Sequence, residues 1–118
     1  MENHALDILK QEFLDRRFDL KENVHFRVGK KMYVLNMYLK SNNIGVVSLI
    51  WNRTLPTNKL IQLEGLMNTL ELKKLVVVCS SISDNARDYL ARRDVGIEVL
   101  CTNEILNSTV DIDSFVAR

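Results

Sequence analysis

Two apolar runs rich in β-branched and aromatic residues, 32–39 and 44–51, flank the polar tetrad Lys40-Ser41-Asn42-Asn43. No other stretch constrains the fold as much. Residues of this kind favour extended chain, and the tetrad supplies a reversal, so the pattern specifies a β-hairpin. Both runs are apolar at odd and even positions, which places the hairpin inside a covered sheet rather than on a wet one. By strand alternation, Met32, Val34, Asn36 and Tyr38 share one expected face and Tyr33, Leu35, Met37 and Leu39 the other. Val46, Ser48 and Ile50 share a face of the second strand, as do Val47, Leu49 and Trp51.

The flanks supply the rest of an α/β domain. Residues 4–17 carry Ala5, Leu6, Leu9 and Phe13 on one helical stripe, with Asn3 as the expected N-cap and Glu12 at the stripe's edge. Phe18 to Glu22 is the expected connection to a half-exposed strand over 24–28, which a tight Gly29-Lys30 turn joins to the hairpin. After a loop over 53–57, fixed by Pro56, a helix capped by Thr57 or Asn58 is expected to run to about Leu72. Leu60, Leu63, Leu66, Met67 and Leu70 form its stripe, and Lys73-Lys74 suits its C-terminal dipole. The unbroken run Leu75-Val76-Val77-Val78-Cys79 reads as a buried strand parallel to a neighbour. A helix over 85–94, capped by Ser83 or Asp84 and ended by Gly96, leads to a strand over 97–101. That βαβ unit is expected to cross over right-handed. Thr102 to Leu106 begins a short last turn, and 107–118 is read as a tail or edge segment outside a domain of 1–106. The expected order is α-β-β-β-α-β-α-β, a three-layer α/β fold with a mixed sheet between helices.

Among 118 residues, 47% are hydrophobic and 26% charged, which suits one soluble domain with its own core. A net charge of +1 argues against a uniformly basic nucleic-acid binder, so any such contact rests on a local patch. The apolar runs are too short to span a bilayer, and the start lacks the pattern of a signal peptide, so a cytoplasmic protein is expected. Cys79 and Cys101 end two expected strands and read as buried free thiols, close together if those strands are neighbours. His4 and His25 have no second ligand at metal-like spacing. Ser80-Ser81 forms a strand-to-helix turn without the glycines of a phosphate loop.

From Met32 to Leu100 the chain resembles the PD-(D/E)XK nuclease superfamily, and within it the Mrr-type restriction endonucleases. The resemblance is carried by Val34-Leu35-Asn36, Val46-Val47-Ser48-Leu49-Ile50-Trp51, Val76-Val77-Val78-Cys79-Ser80-Ser81, Asp84-Asn85-Ala86-Arg87-Asp88-Tyr89 and Gly96-Ile97-Glu98-Val99-Leu100. It implies a restriction-endonuclease-like core. In that family an aspartate and a glutamate hold divalent cations, and a lysine two residues beyond the glutamate serves the attacking water. Here those positions fall on Asn36, Ser48 and Ile50, and no Asp or Glu occurs between Asn23 and Leu63. The resemblance thus implies a nuclease frame without its chemistry, needing no metal or other cofactor.

Three functions are compatible with this reading. The first is a non-catalytic nucleic-acid-binding or scaffolding module for DNA or RNA processing, with Lys30, Lys31, Lys40, Arg53 and Lys59 as phosphate contacts. The second is a protein-interaction domain, a homodimer or a subunit of a larger complex, anchored by Trp51, Tyr33, Tyr38 and Phe115. The third is a metal-dependent nuclease with acids relocated to Glu12, Glu64 or Asp84.

Overall fold

The computed structural model describes residues 2–49, 54–92, 96–107 and 112. In chain order its elements are α1 (Glu2–Asp15), β1 (Leu20–Val28), β2 (Lys31–Leu39), β3 (Ile44–Ser48), β4 (Thr54–Leu55), α2 (Thr57–Thr69), β5 (Lys74–Cys79), β6 (Ser81–Ile82), α3 (Asp84–Arg92), β7 (Ile97–Cys101) and α4 (Thr102–Leu106). Strand β5 is buried at all its positions. A strand apolar on both faces needs a paired neighbour along each edge and helices above and below. It has both: β3 and β7 run parallel on either side, with Val46 and Glu98 opposite Val76. The five-stranded sheet has the order β1-β2-β3-β5-β7, antiparallel at the hairpins and parallel beyond β3. The expected three-layer α/β architecture and element order are therefore present. Among the described residues, no helix is long and apolar enough to cross a membrane.

Two cores sandwich the sheet. On one face Ala5, Leu9 and Phe13 of α1 and Ile105 of α4 pack on Met37, Leu39, Val46, Val76, Val78 and Leu100. On the other, Leu60, Leu63 and Met67 of α2 and Ala86 of α3 pack on Leu35, Val47, Leu75, Val77 and Ile97. An isolated helix as short as α1 is marginal in water, so this docking is what holds it. Ile112, in the segment expected to be a tail, is buried in the first core.

Several boundaries differ from expectation, each for a physical reason. Strand β1 begins at Leu20, so Leu20 to Glu22 are ladder and not connection. Helix α1 is described from Glu2, so Asn3 falls within it. Pro56 takes the N-cap of α2, leaving Thr57 inside the first turn. That helix stops at Thr69: Leu72 N–H donates to Met67 O (3.0 Å) and Glu71 N–H to Asn68 O (3.2 Å), with Glu71 at φ 56°. This is a Schellman closure with glutamate where glycine is usual, so no glycine marked the end. Lys74 then opens β5 and is buried, instead of closing the helix. Within the loop expected over 53–57, β4 pairs in parallel with β6. Ser83 does cap α3, its Oγ accepting Ala86 N–H at 3.1 Å.

The largest departure lies in the hairpin. The β1–β2 ladder runs from Leu20↔Leu39 to Glu22↔Met37 and resumes at Val24↔Leu35. At the gap stand Asn23, with φ 50°, and Asn36. Leu35 joins the α2 core while Met37 and Leu39 join the α1 core, although all three have the same parity. The ribbon turns over at the two asparagines, and asparagine tolerates the left-handed backbone this demands. Beyond that point only one face is covered, by Leu35 and Phe26 on the α2 core; on the other, Met32 and Val34 are 54% and 50% exposed.

Gly45 is opposite Tyr38 and Leu75, where a Cβ would stand 2.9 Å from the Cδ1 atoms of both Leu35 and Leu72. Gly45→Ala is expected to cost about 1–3 kcal/mol in urea unfolding by overpacking. Gly65, exposed on α2 with open space around its Cα, should instead gain about 0.5–1 kcal/mol as alanine. The thiols test the register of the parallel strands. Cys79 and Cys101 are direct partners on β5 and β7, and burial, then the Cys101 neighbour, pushes the Cys79 thiol up to about 12. A raised thiol pKa stabilises the fold fully below the ordinary value of about 9, and that contribution is lost as pH climbs toward about 12. Thermal unfolding of Cys79→Ala above pH 9 should therefore fall less steeply with pH than that of the parent chain.

Candidate functional site

The turn-over of the ribbon creates the site. Strands β2 and β3 pair only over Met37↔Val46, Tyr38↔Gly45 and Leu39↔Ile44. The same register, if extended, would set Ser48 opposite Leu35 and supply its N–H with a backbone acceptor. Instead Ser48 N–H donates to Asn36 Oδ1 at 2.8 Å. A side-chain amide thus replaces a rung of the ladder where the strands part. Leu49 N–H continues the pairing on the other side, donating to Val78 O at 2.9 Å. Ser48 follows Val46 by two residues and points into the α1 layer, where its Oγ is buried and makes no hydrogen bond within the protein. Asn36 and Ser48, which the resemblance sets at the acid positions, are therefore neighbours. Ile50, Trp51 and Arg53 lie outside the described residues, as does Phe115.

Beside Asn36 is a cavity of about 320 Å³, walled by Leu6, Asp7 and Lys10 of α1, Glu22 and Asn23 of β1, and Met37 of β2. Lys10 Nζ and Glu22 Oε2 form an ion pair of 3.0 Å there. The part of β1 that contributes Glu22 and Asn23 was not legible because Lys21, Glu22 and Asn23 break any alternation of polarity. A hard divalent cation wants several oxygen ligands, carboxylates foremost. Asn36 commits Oδ1 to a backbone N–H, Ser48 offers a neutral hydroxyl, and of the two carboxylates on the cavity wall Glu22 is engaged by Lys10, which leaves one, Asp7. Among the described residues no three His, Cys, Asp or Glu side chains are grouped to hold a metal ion. The donor set does not fit the metal that the resemblance implies.

The relocated acids are elsewhere. Glu12 pairs with Arg16 at 2.6 Å on the outside of α1. Glu64 accepts a 2.7 Å hydrogen bond from Tyr89 O–H between α2 and α3, and Asp84 opens α3. A second cavity of about 480 Å³ lies between those helices, lined by Thr57, Asn85, Asp88, Tyr89 and Arg92. Tyr38 is half-buried: its O–H donates to Asn43 Oδ1 at 3.0 Å and its ring meets Phe26 edge-on at 5.4 Å. Tyr33 is half-buried on the ribbon.

The basic candidates are not one cluster. Lys30 and Lys31 are exposed at the ribbon tip, whereas Lys40 is exposed at the other end of β2, about 30 Å from Lys31 at roughly 3.3 Å per residue. Lys59 is half-buried in the first turn of α2.

No protein-family model matches the chain, and no curated protein matches it. Among solved structures, the crystal structure of the protein of unknown function AF1548 aligns with 89% of this chain at 13% identity and a TM-score of 0.60. This chain covers 65% of that one, about two thirds of its length. The DNA modification-dependent restriction endonuclease AspBHI aligns with 98% of this chain at 8% identity and a TM-score of 0.46, over 38% of its own length. At such identity the likeness to AF1548 is one of fold.

Proposed function

We propose that this chain is a catalytically inactive, nuclease-like domain that serves as a nucleic-acid-binding module, or as a scaffold within a larger nucleic-acid-processing protein. The observation that carries the reading is the 2.8 Å bond from Ser48 N–H to Asn36 Oδ1. It occupies the place where the superfamily resembled by the sequence gathers its acids, and it uses a neutral amide to tie β2 to β3. An aspartate there would bring a charge into a half-buried position with no metal to offset it, which is costly. A frame relieved of that charge can keep its shape and its phosphate-facing surface without cleaving. The restriction-endonuclease-like order of elements and the basic ribbon tip support the same reading.

Titration of the purified chain against labelled duplex and single-stranded DNA should show binding at low salt that weakens steeply as salt rises, because phosphate contacts release counterions. Absence of binding at low salt overturns the nucleic-acid-binding role and leaves the scaffold, and cleavage of plasmid DNA with Mg²⁺ or Mn²⁺ overturns the proposal as a whole. The internal role of the amide is checked by stability. Asn36→Ala leaves the part-buried Ser48 N–H without its acceptor and should cost about 1–3 kcal/mol. Ser48→Ala removes a hydroxyl that has no partner and should leave the melting temperature unchanged or raised.

A further inference from the structure

We propose that the open face and tip of the β1–β2 ribbon, within residues 25–34, enter a groove of duplex DNA; this rests on the nucleic-acid-binding reading above and names its contact element and partner. Strand β3 pairs with β2 only from Met37 onward, whereas β1 and β2 stay paired out to Val28↔Lys31. The distal ribbon is therefore two strands wide; one of its faces packs through Leu35 and Phe26 on the α2 core, and the other is open. Direct partners share a face, so Arg27 is beside Met32 and His25 beside Val34. All four are exposed, and Lys30 and Lys31 close the tip. Gly29, with φ 63° at the first loop position, makes that tip a tight two-residue turn.

The charge distribution selects the partner. Residues 23–63 hold six lysines or arginines and no Asp or Glu, while the whole chain is only +1. Every formal charge on the ribbon from 23 to 36 is positive: Arg27, Lys30 and Lys31. An isologous contact with a second copy would set these cations against their own images, which opposes pairing. A polyanion resolves that conflict. The B-DNA major groove, about 12 Å wide, admits a two-stranded ribbon, and thymine methyl groups there give apolar side chains something to meet. Met32 and Val34 have that chemistry, with cations placed to reach the flanking phosphates. The A-form major groove of duplex RNA is too narrow for this insertion.

The test measures affinity for a DNA duplex, an RNA duplex of the same sequence and single-stranded DNA across salt concentrations. The triple variant Arg27→Gln, Lys30→Gln, Lys31→Gln is compared with Arg17→Gln, Lys73→Gln, Arg92→Gln, which removes the same charge at exposed positions outside the ribbon. The ribbon variant should lose about tenfold or more in DNA affinity, and its salt slope should become shallower by about 2–3. The control variant should change affinity by less than about threefold. Met32→Ser with Val34→Ser should weaken duplex binding at an unchanged salt slope. Thermal unfolding confirms that each variant is folded, the ribbon side chains being exposed. Equal losses in the two triple variants overturn the inference, as does RNA duplex bound as well as DNA. A dimer in sedimentation that Met32→Ser with Val34→Ser dissolves assigns the face to a second copy and also overturns it. If the parent chain binds duplex DNA and the ribbon variants bind unchanged, only this inference falls. If the parent chain binds no DNA, the nucleic-acid-binding reading falls with it.

Discussion

The rest of the molecule depends on the burial of β5. Its six residues have no contact with water to speak of, so each of their backbone groups needs a partner inside the protein. That requirement places β3 on one edge and β7 on the other, and it demands helices over both faces. Residues Val76 and Val78 feed the α1 core, and Leu75 and Val77 the α2 core. Even the last carbonyl is met, since Thr102 O–H donates to Cys79 O at 3.0 Å. The order and direction of the inner three strands follow from satisfying one apolar strand.

The outer hairpin answers to a different constraint. Where β5 forbids loose ends, the β1–β2 ribbon leaves the sheet after Met37, and the two asparagines manage the change. Asn23 takes the left-handed backbone at which the ribbon turns over, and Asn36 turns its amide to the N–H that the departing strand has left behind. One event therefore produces both features on which function is argued. It sets the Asn36 amide against Ser48 N–H, and it leaves one face of the ribbon, with Arg27, Met32 and Val34, open.

Elements whose signal is local were legible in the sequence. The apolar run of β5, the stripe of Leu60, Leu63 and Met67 and the tetrad after Leu39 each carry their own periodicity or punctuation. Elements whose signal is an energy of context were not. The end of α2 has no glycine, because Glu71 accepts the strained backbone and Asn43 Nδ2 bonds its carbonyl at 2.8 Å. The short β4–β6 pair exists only because the chain returns there, with Thr54 and Ser81 hydroxyls 3.0 Å apart. Alternation failed in β2 for the same reason: strict parity assumes a flat ribbon, and this one turns over at Asn23 and Asn36.

The sequence by itself determined the fold class, the hairpin, the buried parallel strand and the neutrality of Asn36 and Ser48. These follow from side-chain chemistry and spacing, which need no coordinates. Only the tertiary structure decided that Asn36 and Ser48 meet, that Lys40 lies at the opposite end of β2 from Lys30 and Lys31, and that Met32 and Val34 face outward. Each of those depends on where β2 parts from β3. That point is set by packing against two cores at once, a sum over contacts distant in sequence that no local pattern encodes.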